Sequence, residues 1–69
     1  MTKSPSVFAV QVSFAGPIPT AAVRRASGVS DVDVARQTLH CRVYGSFQPF
    51  LEALRGYEVM TLVSRPLSG

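Results

Sequence analysis

Apolar and polar positions alternate along "VFAVQVSF", Val7–Phe14. Phe8, Val10, Val12 and Phe14 fall on one face, and Ala9, Gln11 and Ser13 on the other. Period two with β-branched content predicts a strand with one buried face. "AGPIP" breaks it. In "PTAAVRRAS", residues 19–27, and the residue before it, Ile18, Ala22, Val23 and Ala26 recur at helical spacing. Pro19 suits a first helical turn, because its missing N–H has no partner there. Gly28 is placed to stop this helix in a left-handed conformation.

"VSDVDVA", Val29–Ala35, alternates again, with Val32 and Val34 inward and Asp31 and Asp33 outward. Arg36-Gln37 reads as a tight connection into "TLHCRVY", Thr38–Tyr44. There Leu39, Cys41 and Val43 share one face, and His40, Arg42 and Tyr44 the other. Two alternating runs so close together predict a hairpin. After Gly45, Ser46 is a candidate N-cap for a helix over residues 47–55. Phe47, Phe50, Leu51 and Leu54 form its apolar stripe. Pro49 is tolerated in its first turn, and Gly56 ends it. A last strand follows over residues 57–64.

The order is β-α-β-β-α-β. Right-handed crossovers turn it into an α+β, ferredoxin-like fold: a four-stranded antiparallel sheet with both helices on one face. Residues 7–66 form the domain, residues 1–6 read as a flexible lead-in or linker remnant, and residues 67–69 as a truncated tail.

Sixty-nine residues hold one small domain, near the size at which a single core barely outweighs chain entropy. At 46% apolar and 16% charged, the chain is too apolar for a disordered segment. The net charge of +3 comes from basic residues scattered along the chain, whereas nucleic-acid binders gather them in a stripe. A single cysteine allows no internal disulfide and no cysteine-pair metal loop, and fits a cytoplasmic setting. The start "MTKSPS" and the short apolar run after it make neither a signal peptide nor a membrane span.

Candidate chemistry is sparse. His40 is the only histidine, and it neighbours Cys41 in a strand, so the two side chains take opposite faces and cannot pair as base and nucleophile. Asp31 and Asp33 read as outward acids that keep an edge strand from pairing. One of them is placed to meet Arg42 across the hairpin, a contact of little energetic weight. No phosphate-binding GxxxxGK[ST] or GxGxxG occurs, so the chain is not expected to bind ATP by a P-loop on its own, and with no two-cysteine loop no metal is expected; no cofactor is assigned to it. What remains is the helix-free face of the two central strands. Gln11 and Ser13 lie there beside His40, Arg42 and Tyr44, with arginine and tyrosine both enriched at protein interfaces. These five residues are the candidate interface.

The pieces Gly28-Val29, Val32-Asp33-Val34, Leu39-His40-Cys41-Arg42-Val43, Phe50-Leu51-Glu52-Ala53-Leu54 and Val63-Ser64-Arg65-Pro66-Leu67-Ser68 come in a particular order. In that order the chain resembles the C-terminal extension of bacterial ABC transporter ATP-binding subunits of the drug- and antibiotic-export type. The resemblance spans about residues 7–68. It implies a non-catalytic accessory or regulatory domain of a parent ATPase. That parent would use ATP and Mg, pair with a membrane permease, and sit in the cytoplasm at the inner face of the membrane. The domain's partners would be an ATPase domain in cis or in trans, with a homodimer as a further expectation, and no nucleic acid. The nucleotide-binding domain of the family lies outside these residues, and the family's tail continues where Gly69 ends, so a piece of a larger protein is expected, with a short natural protein that has lost its ATPase as the alternative. No catalytic residue of the family maps onto this chain. Two other uses of the frame stay open at this level: a small-molecule sensor similar to ACT domains, with a ligand near Ala15-Gly16-Pro17, and a small RNA-binding domain.

Overall fold

The computed structural model describes residues 6–67; the expectations for residues 1–5 and 68–69 lie outside them. The elements are β1 (Val7–Phe14), α1 (Thr20–Arg25), β2 (Val29–Ala35), β3 (Thr38–Tyr44), α2 (Gln48–Ala53) and β4 (Val59–Pro66). All strand pairs are antiparallel and the order across the sheet is β2-β3-β1-β4. The fold is α+β with the strand order of the ferredoxin-like arrangement. The alternation in β1 and β3 makes this legible, because the central strands carry cleanly divided faces.

The core follows from that division. Val10, Val12 and Phe14 of β1 and Leu39, Cys41 and Val43 of β3 are buried against Val23 of α1 and against Phe50 and Leu54 from α2 and its C-terminal end. Phe8 packs edge-on against Phe47, with centroids 5.1 Å apart, and Phe47 edge-on against Phe50 at 6.4 Å. This aromatic file ties α2 to the start of β1, in the geometry the ring quadrupoles favour.

Both helices are shorter than their sequence spacing predicts, at six residues each. Pro19 sits at the N-cap of α1 rather than inside its first turn, with its carbonyl accepting from the Val23 N–H at 2.9 Å. Phe47, not Ser46, occupies the N-cap of α2, and the Ser46 Oγ accepts from the Gln48 N–H at 3.1 Å just outside it. Leu51 does not join the core and is 47% exposed. It lies about 100° round the helix from Phe50, and a helix under two turns long turns only a narrow stripe inward. The last strand runs over Val59–Pro66, later than predicted, and Pro66 is its final rung, opposite Phe8.

Two bulges explain what strict period two misses. In β2, Ser30 faces Arg42 and Asp33 faces His40, so one extra residue lies on β2 between two rungs. Asp31 takes the left-handed conformation there, at φ 53°. The bulge shifts the phase of the strand, and Val29 packs against the core together with Val32. Val34, expected inward, is 37% exposed near the hairpin end. In β4, Thr61 faces Ser13 and Val59 faces Phe14, so Met60 is the extra residue.

Arg36-Gln37 closes the β2–β3 hairpin. Only the first of these two residues has positive φ, 60° at Arg36, where hairpins of this pattern favour glycine. The Gln37 amide nitrogen donates to the carbonyls of Phe14 (3.2 Å) and Gly16 (2.9 Å), which fixes the turn against the end of β1. Arg36→Gly is expected to stabilise the domain by about 0.5–1 kcal/mol, since relief of the left-handed backbone outweighs the added chain entropy. Urea denaturation of the variant checks this, with a higher midpoint at unchanged slope as the expected result.

Candidate interaction surface

The helix-free face is laid out by the ladder. One row across the sheet is Ser30, Arg42, Ala9, Arg65. The next on the same face is Asp33, His40, Gln11, Val63, and the third is Ala35, Thr38, Ser13, Thr61. Because residues directly opposite in antiparallel strands share a face, each row projects as a unit. Gln11 and His40 are therefore neighbours, with Arg42 two positions along. Ser13 sits apart from them and shares a hydrogen bond with the Thr61 hydroxyl. Tyr44 ends the strand opposite Val7 and is 42% exposed.

The small side chain of Ala9 lies between the two arginine positions. A shallow depression of about 470 Å³ results, lined among others by Ala9, Gln11, His40, Arg42, Val63 and Arg65. An Arg42 Nη1 and an Asp31 Oδ2 lie 3.5 Å apart with both side chains more than half exposed. The bulge at Asp31 thus orients an acid toward Arg42, and at this exposure the pair contributes about 0–1 kcal/mol. His40, Arg42 and Arg65 around the depression are basic, against the single acid Asp31.

Val63 and Arg65 are not assignable to this face from the sequence. The β4 run has no clean alternation, so its faces depend on the register with β1. The signal that points to them is the three-residue step from Val59 to Leu62, which marks a bulge.

No buried charged or polar residue occurs among the described residues, and no group of three or more metal-ligating side chains. The surface can offer hydrogen bonds, positive charge and one aliphatic side chain to a partner.

On the other face of β3, burial pushes the Cys41 thiol up from 9.0 to about 11. The folded value lies above the unfolded one. The thiol's contribution to stability is therefore whole below about pH 9 and is lost as pH rises through 9 toward 11. Denaturation midpoints across that window should fall more steeply for the native sequence than for Cys41→Val, which has nothing to ionise there. At neutral pH a thiol reagent should modify Cys41 only as fast as the domain unfolds.

No protein-family model, curated protein or solved structure matches this chain. Among the described residues no helix is long and apolar enough to cross a membrane.

Proposed function

We propose that this chain is a non-catalytic interaction domain that meets its partner through the open face of the sheet, centred on Gln11, His40 and Arg42. The observation that carries the reading is the continuous row structure of that face. Arg42, Ala9 and Arg65 in one row and His40, Gln11 and Val63 in the next form one accessible, mixed polar and apolar surface. Such a mixture, with arginine over a small apolar floor, is what partners in non-obligate complexes present to each other.

The resemblance of the ordered motifs to the C-terminal extension of ABC transporter ATP-binding subunits supplies the proposed setting. In it the domain contacts an ATPase domain of the same subunit or of its partner and regulates or stabilises their pairing. ATP, Mg and the membrane permease belong to that parent, placed at the cytoplasmic side of the membrane. Determining the complete reading frame tests the setting. An upstream domain carrying GxxxxGK[ST] is expected; a frame without it overturns the ABC setting.

A further inference from the structure

The strand β4 is an edge of a different kind from β2. Its eight residues are all exposed, including Val59, Met60, Leu62 and Val63, and among the described residues no strand pairs with its outer side. At the opposite edge of the sheet, β2 carries outward acids and a bulge with Asp31 at positive φ, two devices that discourage strand addition. Over residues 59–64 β4 carries no charge at all.

The direction of its backbone groups can be read from two hydrogen bonds. The Leu67 N–H donates to the Val7 carbonyl at 2.8 Å, and the Ala15 N–H donates to the Glu58 carbonyl at 3.0 Å. Antiparallel ladders alternate, so Thr61, Val63 and Arg65 aim their N–H and C=O at β1. Leu62 and Ser64 aim theirs outward. Pro66 is at an outward position too, where its missing N–H leaves the β1 ladder intact.

Charge is arranged symmetrically about Leu62. Counted on the rungs of β1, Leu62 lies opposite Val12, Arg65 opposite Ala9, and Glu58 bonds to Ala15. With Met60 absorbed by the bulge, Glu58 and Arg65 are each three rungs from Leu62, one on either side. A two-fold axis through Leu62, perpendicular to the sheet, therefore sets Glu58 opposite the partner's Arg65 and Arg65 opposite the partner's Glu58. It also sets Thr61 opposite the partner's Val63, and joins Leu62 to the partner's Leu62 by their outward N–H and C=O groups.

We infer that β4 is a self-complementary edge, and that its occupant is β4 of a second copy of this chain, paired antiparallel about Leu62. The two sheets become continuous and the helices of both copies lie on one side. Val59 and Leu62, which share the helix-side face of β4 with Phe14 and Val12, gain apolar cover across the seam. The open faces also become one surface, with the two depressions related by the same axis. This inference goes beyond the proposed function and does not rest on it: the reading frame decides one, and association of the chain decides the other.

Sedimentation equilibrium over a range of concentrations tests it. The native sequence is expected to form a dimer. Glu58→Arg and Arg65→Glu should each weaken it about tenfold or more, because each turns two attractive pairs into two repulsive ones. The double variant with both changes should restore native affinity. All of these sites are exposed, and circular dichroism confirms that each variant folds. Leu62→Cys gives a second measurement. A residue on the axis lies about 5.5 Å from its own copy between Cα atoms, within disulfide reach, so mild oxidation should cross-link the dimer. A monomer at every concentration would overturn the inference, whether the edge stays bare or is covered by the chain's own residues 1–5. So would a dimer indifferent to both charge reversals.

Discussion

Phe50→Ala is expected to leave the chain unfolded. Phe50 is completely buried, packs edge-on against Phe47, and is one of two α2-side residues in the core cluster. Truncation of a buried phenylalanine costs about 3–5 kcal/mol, part of it lost transfer energy and part the cavity left behind. A single core in a domain of this size supplies about 3–5 kcal/mol in total. The two figures are of the same size, so the folded state loses its margin. Loss of dispersed amide signals in an NMR spectrum is the readout. The adjacent substitution Leu51→Ala is the control. Leu51 stands half exposed on the same helix, and its loss should cost under about 1 kcal/mol. Equal effects of the two would contradict the packing of α2 described above.

The second large effect belongs to Gly28. Its φ is +80°, and a Cβ placed there would lie 2.8 Å from the Tyr44 carbonyl oxygen. That oxygen is backbone and cannot swing aside. The same two residues are also joined by the Tyr44 N–H donating to the Gly28 carbonyl at 2.7 Å. Gly28→Ala therefore combines a left-handed penalty with a clash that pries the end of β3 from the start of β2. Together these amount to about 2–4 kcal/mol. Gly45→Ala separates the two causes. Gly45 has φ +71°, and a methyl group added there would meet nothing within 4 Å, so only the backbone penalty of about 1 kcal/mol applies. Chemical denaturation of both variants measures the difference. If Gly45→Ala costs as much as Gly28→Ala, the close approach to Tyr44 is not what selects glycine at 28.

The sheet is legible where the residues alternate without interruption. Phe8-Val10-Val12-Phe14 and Leu39-Cys41-Val43 place β1 and β3, and with them the face that carries Gln11, Ser13, His40, Arg42 and Tyr44. The hairpin alone offers Arg42 two acids, and the structure selects Asp31. What stays hidden depends on register. In β2, valines at 29, 32 and 34 cannot all face inward by strict alternation, and only the bulge at Asp31 reconciles Val29 and Val32. In β4, the same device at Met60 decides that Val63 and Arg65 join the open face while Leu62 turns to the helix side. Helix ends escape the pattern for a related reason. Spacing records which side chains favour burial, whereas the chain's need to re-enter the sheet decides where a six-residue helix stops. Leu51 shows how a stripe misleads when the sheet can cover only part of it.

Comparison of the amide chemical shifts of the 69-residue chain with those of the protein encoded by its complete reading frame tests most directly whether the open face is the interaction surface. Differences concentrated on Ala9, Gln11, His40 and Arg42, with α1 and α2 unchanged, are predicted. Differences confined to the helices, with the rows of the sheet face silent, would contradict it.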